Sequence, residues 1–170
     1  MTKTSNMLGA LAMVLADDMR EAVDEALRTT GETAAALIML GAHPGVQIGE
    51  LARALRLTHS GAVRLVDRLQ KEELVRREVG QDSRTVVLRL TREGAKRRLV
   101  ALRQRDRVLE RALAHLSDAE ADVLGRCLDK MLRGLLTKKE HGYRYCRMCD
   151  EDTCVPQHCP VEERWEELFG

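Results

Sequence analysis

Four cysteines lie within fourteen residues near the end of the chain, as Cys146-x2-Cys149-x4-Cys154-x4-Cys159. Short loops of this kind bring thiolates around one point, which is what a tetrahedral zinc ion requires. The same four donors would suit an iron–sulfur cluster, and without metal they could form regulatory disulfides. Zinc is the leading expectation because close-set thiols in a reducing compartment favour metal over disulfide. His141 and His158 stand beside the cluster as substitute ligands, although a histidine next to a ligand cysteine is more often a bystander. The fifth cysteine, Cys127, falls among Leu124, Leu128 and Met131 and reads as a core thiol.

A second constellation lies in the middle of the chain. Thr58, His59, Ser60 and Gly61 put short polar groups at the start of an apolar-periodic segment, and Arg64 and Arg68 follow at helical spacing along one face. A helix enters the major groove of DNA when its first turn is small and polar and its exposed face carries arginine or lysine. Further on, Gln81, Asp82, Ser83 and Arg84 form a turn cluster between two β-prone runs. An arginine at such a tip suits a minor-groove or phosphate contact. Taken alone, these arginines read equally well as a solvated helix face.

The elements that would position these groups are legible from periodicity. Apolar positions spaced by three or four predict helices over 7–28, 32–42, 47–55 and 58–72. Thr58 is a natural N-cap. Val75, Val79 and the run from Thr85 to Leu90 predict a hairpin. Long amphipathic helices follow over 91–116 and 117–136, the second opened by the capping box Ser117-Asp118-Ala119-Glu120. The fold class is therefore mainly α with a small β-hairpin wing, a winged helix-turn-helix. Its terminal helices carry more apolar surface than one small domain covers, which predicts a homodimer joined through them. Residues 5–137 form the winged domain with its dimerisation helices, and 138–170 form a cysteine-rich tail. A polar tail of this size needs metal to fold. A last helix over 161–169 would then be oriented so that Trp165, Leu168 and Phe169 pack on the dimer.

The charge distribution agrees. The 170 residues carry a net charge of only +1, yet residues 51–112 hold 17 basic and 8 acidic groups, while 1–50 and 113–170 are each net −4. A basic middle between acidic flanks points to a polyanion met by one face. The four aromatics all lie beyond residue 140, so the winged region offers no stacking platform for single-stranded RNA. No run of eighteen apolar residues spans a membrane, and the first residues lack the features of a secretory signal. The expected location is the cytoplasm.

Leu51-Ala52-Arg53-Ala54-Leu55, the segment Thr58–Leu69, Leu74-Val75-Arg76-Arg77, Asp82-Ser83-Arg84 and Leu90-Thr91-Arg92-Glu93-Gly94 resemble the MarR family of winged helix-turn-helix regulators. The resemblance covers roughly residues 5–137. It implies a homodimeric regulator clasped by its terminal helices on a palindromic operator, a repressor rather than an activator, whose DNA affinity answers to a small-molecule effector. It places Ser60 and Arg64 in the major groove and Arg84 at the wing tip, and it implies that Asp82 braces wing arginines by ion pairing. Members usually carry glycine where this chain has Glu73. A glutamate costs about 1 kcal/mol if the backbone there stays left-handed, so a local adjustment is expected at the helix-to-wing junction. The tail resembles a zinc knuckle with Cys154 in the histidine position. Asp150, Glu151 and Asp152 within it would repel phosphate, so direct nucleic-acid binding by the tail is not expected.

The leading reading is thus a regulator that binds double-stranded DNA, with structural zinc on Cys146, Cys149, Cys154 and Cys159. The alternatives are a redox sensor using the same cysteines, or a zinc-knuckle RNA-binding or adaptor protein. An enzyme is not expected, since four thiolates leave no open coordination position for substrate.

Overall fold

The computed structural model describes residues 2–29 and 31–170. Helix α1 (Lys3–Leu27) begins four residues earlier than periodicity alone indicates. Thr2 and Ser5 form a reciprocal capping box there, with the Thr2 hydroxyl accepting from the Ser5 amide at 3.1 Å. Helix α2 (Thr33–Ala42) is buried along nearly its whole length, from Thr33 through Leu40. It forms the centre of the main core, which Leu51, Leu55, Val66, Leu69, Leu74, Leu88 and Leu102 complete.

Helices α3 (Ile48–Leu55) and α4 (His59–Lys71) pack against each other as the helix-turn-helix. Between them Arg56 takes a left-handed conformation, φ 56°, which ends α3. The Thr58 hydroxyl then accepts from the Gly61 amide at 3.0 Å and opens α4. Strands β1 (Val75–Val79) and β2 (Val86–Leu90) pair antiparallel with Val75 opposite Leu90 and Val79 opposite Val86. Gln47 bridges to Val87, so the segment leading into α3 lies along the wing's other edge. The predicted elements from 32 to 90 are therefore all present, within one or two residues.

The junction between α4 and the wing departs from expectation. Glu73 keeps the left-handed conformation, with φ 58°, instead of relaxing out of it. Its surroundings over-determine it: the Leu74 amide donates to the Leu69 carbonyl at 2.8 Å, and the Thr91 hydroxyl donates to the Glu73 carbonyl at 2.6 Å. Gly94 sits where a Cβ would meet the Leu74 carbonyl oxygen at 2.0 Å. Only glycine lets α5 (Arg92–Leu113) start this close to the wing.

Helix α1 runs along α5 and buries Val23 and Leu27. Its first half is uncovered, with Met7, Leu8, Leu11, Met13 and Val14 exposed. Helix α6 (Asp118–Leu135) has no buried residue, and Val123, Leu128, Met131 and Leu135 face outward. Its capping box is formed as expected, the Ser117 amide donating to Glu120 at 2.9 Å. That bond holds the Glu120 carboxyl below its ordinary range. Cys127 shares the exposure of α6, so the core role expected for it does not hold within one chain, because among the described residues nothing covers it.

The tail comprises α7 (His141–Cys146), α8 (Glu151–Cys154), a 3₁₀ turn (Val155–Gln157) and α9 (Pro160–Phe169). It folds back as a second small core of Leu136, Cys159 and Val161, flanked by Leu132, Tyr145, Trp165 and Phe169. Helix α9 packs on α6 of its own chain. Arg133 of α6 pairs with Glu163 and Glu167, and the Trp165 indole donates to the Lys139 carbonyl at 2.9 Å. The expectation that Trp165, Leu168 and Phe169 share one packed face is corrected, while the seat on α6 lies on one of the helices expected to form the dimer. Trp165 and Phe169 meet at 6.1 Å between ring centroids, whereas Leu168 points to solvent. The polar groups of α9 are matched to Arg133 within the chain, which favours the intramolecular seat.

Candidate nucleic-acid interface and cysteine cluster

Helix α4 sorts its residues by face. Ala62, Leu65, Val66 and Leu69 are buried against α3 and the core, and His59, Ser60 and Arg64 are exposed on the other side. Thr58 is exposed but its hydroxyl is engaged as the cap, with Ser60 Oγ 3.2 Å away, and Gly61 supplies the capped amide. Among the described residues the side chains of Arg64 and His59 make no hydrogen bond or ion pair, so both are available to an external partner. Arg68 is exposed on the same helix, yet its guanidinium donates to Thr33 at 2.9 Å. It ties α4 to α2 as well as contributing charge.

The wing tip closes with the Gly80 amide on the Thr85 carbonyl and the Thr85 amide on the Asp82 carbonyl, at 2.9 and 2.8 Å. Asp82 does not brace an arginine side chain. Its carboxylate accepts from the Arg84 backbone amide at 3.0 Å, because it sits inside the turn where that amide is the nearest donor. The bracing falls to Glu78, which pairs with Arg76 at 2.6 Å and Arg89 at 2.8 Å across the hairpin. Asp67 of α4 holds Arg77 of β1 at 2.6 Å. The Glu78 pairs brace the hairpin itself, the Asp67 bridge fixes it against α4, and the Arg84 guanidinium is left, among the described residues, with no partner. Two free arginines, one on α4 and one at the tip of a rigid hairpin, are what groove and phosphate contacts from one face require.

The four tail thiols form two neighbouring pairs, Cys146 with Cys149 and Cys154 with Cys159, which also sense one another's charge. Hydrogen bonding to Cys149 and burial push the Cys146 thiol far up. The bond from Cys146 lowers Cys149 to about 7, with Arg105 of α5 assisting. Burial, then the bond with Cys159, pushes Cys154 up to about 12. Among the described residues no three metal-binding side chains stand close enough to hold an ion as they are placed. His141 Nδ1 is engaged with the Tyr145 hydroxyl at 3.3 Å and His158 Nδ1 with Glu163 at 3.0 Å.

Contacts that periodicity could not reveal join the tail to the winged domain. Glu151, between the second and third cysteines, reaches His43 at the end of α2, 3.0 Å from the ring Nε2. That carboxylate raises the imidazole pKa above 6.5 despite partial burial, and the charges of Glu162 and Glu50 add to it. The neighbouring Asp152 pairs with Arg98 of α5 at 3.0 Å, and Arg98 itself lies under Gly41 of α2. Tyr143 meets the His43 ring edge-on at 4.8 Å. Among the described residues no helix is long and apolar enough to cross a membrane.

Comparison with known proteins places this arrangement. Residues 29–85, from the approach to α2 to the wing tip, match a MarR family model. No curated protein sequence matches the chain. A MarR family protein from Bacillus stearothermophilus is 28% identical, with a TM-score of 0.68 over 81% of this chain and 99% of that one. A mutant of MepR from S. aureus is 25% identical, with a TM-score of 0.68 over 79% and 99%. Another MepR mutant, solved bound to an oligodeoxyribonucleotide, is 25% identical with a TM-score of 0.58 over the same shares. Residues 29–85 thus resemble the MarR family, and the chain as a whole shares the winged helix-turn-helix fold of these solved structures.

Proposed function

We propose that the chain is a homodimeric, sequence-specific repressor that sets α4 in successive major grooves of a palindromic operator. The observation that carries this reading is the pairing of two unpartnered arginines, Arg64 on α4 and Arg84 at the wing tip, on a hairpin braced by Glu78 and Asp67. His59 and Ser60 at the start of α4 would read base edges beside Arg64, and Arg68, fixed at Thr33, would add phosphate attraction. The uncovered apolar faces of α1 and α6 support a dimer, since burying them against a second copy removes Met7, Leu11, Val123 and Met131 from water. A small-molecule effector would act by biasing the spacing of the two recognition helices. Binding to duplex DNA in competition with single-stranded RNA of equal length tests the reading. Duplex preference is expected, and RNA preference lost on tail removal would favour the adaptor alternative.

The tail is proposed to hold one zinc ion on Cys146, Cys149, Cys154 and Cys159. Four thiolates are a complete zinc set, and Cys159 is buried in the tail's own small core with Cys146 and Cys154 packed against it, where ligation would supply the folding energy that so few apolar residues cannot. The two-pair arrangement of the thiols supports a second reading, in which the same residues carry an iron–sulfur cluster or cycle through disulfides. Metal content and absorption of protein purified without oxygen separate these. Zinc near one per chain and no colour is expected, whereas iron, sulfide and a brown solution would make the cluster the sensor.

A further inference from the structure

A cavity of about 880 Å³ lies where the tail meets the first helix of the helix-turn-helix. The volume is that of a small-molecule site, and its walls belong to two separate units of the chain. On one side stand Glu50 and Ala54 of α3. On the other stand Tyr143, Val161, Glu162 and Trp165 of the tail.

The chemistry of the lining selects for charge. Four carboxylates, Glu50, Glu140, Glu151 and Glu162, face two permanent cations, Arg53 and Lys139, and the His43 imidazole, which already holds Glu151 at 3.0 Å. Glu50, Glu151 and Glu162 come from three different helices, and each also acts on both His43 and Tyr143, so their fields converge on one region. Glu162 makes no ion pair or hydrogen bond among the described residues. The aromatic wall already receives a cation: the Lys139 ammonium rests 5.3 Å from the Trp165 ring centroid, an arrangement driven by the ring's negative face. Apolar surface from Ala54, Val161 and the two aromatic rings surrounds these charges.

We infer that this cavity binds a hydrophobic organic cation, with an apolar body against Tyr143, Val161 and Trp165 and its positive charge beside Glu50 and Glu162. Such a ligand would give the effector of the proposed function a seat, and that regulatory consequence rests on the DNA-binding reading. The site itself does not. A ligand that touches α3 and the tail at once bridges them, so whatever it does to the set of α3 against α4 is returned as a change in its own affinity when DNA is bound.

The test uses the full-length protein without DNA, so the fate of the DNA-binding reading leaves the result untouched. Trp165 is the only tryptophan, and its emission reports directly on the cavity wall. Tetraphenylphosphonium and tetraphenylborate are nearly identical in shape and opposite in charge. The cation should shift Trp165 emission saturably at one equivalent per chain, and the anion should bind about tenfold more weakly or less. The double variant Glu50→Gln, Glu162→Gln should lose about tenfold in affinity for the cation. Glutamine at 50 keeps a carbonyl acceptor for the Gln47 amide, which Glu50 now receives at 2.9 Å, and calorimetric titration beside a melting curve separates lost affinity from lost fold. Equal affinity for the two ions, or cation binding unchanged in a folded double variant, would overturn the inference.

Discussion

Glu151 and His43 are 108 residues apart in sequence and 3.0 Å apart in the fold. One opens α8, between the second and third tail cysteines, and the other caps the buried helix α2. With Asp152 on Arg98, α8 grips the winged domain at two points. The cysteine segment is therefore tied to α2 and α5.

The grip depends on pH. His43 faces Glu151 on α8, Glu50 on α3, Glu162 on α9 and the Tyr143 ring on α7, and its pKa is raised above 6.5. Stability from a raised histidine is fully present below its unfolded value and is lost as pH rises through the folded value. Glu151→Gln should cost about 1 kcal/mol at pH 6. The melting curves of variant and parent should converge by pH 9. A gap that is constant with pH would mean the carboxylate matters only by packing.

Removing residues 138–170 uncovers Leu132 and Leu136 and cuts both grips. The truncated chain should melt several degrees lower than the full chain. If zinc holds the tail together, a chelator added to the full chain should produce much of the same loss. An unchanged melting temperature in both would make the tail an independent appendage.

Glu73 offers a stabilising change. It is held at φ 58°, where a glycine pays no Cβ penalty, so Glu73→Gly should gain about 0.5–1 kcal/mol. Urea unfolding should show a higher midpoint with an unchanged slope. A lower midpoint would show that the Thr91 and Leu69 hydrogen bonds had already absorbed the strain.

Much of the fold was legible in residue types. The Thr58 cap, the apolar spacing of Leu65, Val66 and Leu69 and the turn cluster at Gly80–Ser83 are local signals, and each lies where periodicity predicts. What escaped is non-local and polar. Nothing periodic marks His43 for Glu151, Arg98 for Asp152, or Arg105 as the cation beside Cys149, because single charged pairs between distant elements leave no pattern along the chain. Asp82 and Glu78 exchanged roles for a geometric reason: the turn presents Asp82 with a backbone amide, whereas Glu78 stands on the strand beside two arginines. The stripe that holds Cys127 is apolar but uncovered within one chain, and spacing alone does not distinguish a core stripe from such a face.

Arg64 should carry base discrimination and Arg84 mainly affinity. Arg64→Ala is expected to cost about 1–3 kcal/mol on the best site and to relax preference at one base pair in each half-site. Arg84→Ala should weaken all sequences more evenly and reduce the salt dependence. Uniform weakening by Arg64→Ala would place that side chain on phosphate alone.

The most direct test of the account is selection of bound duplexes from a random library by the purified full-length protein, followed by sequencing. The account predicts enrichment of an inverted repeat whose half-sites lie about one helical turn apart, lost with Arg64→Ala. Recovery of unenriched sequence, or of a single unrepeated element, would contradict a dimer reading DNA through α4.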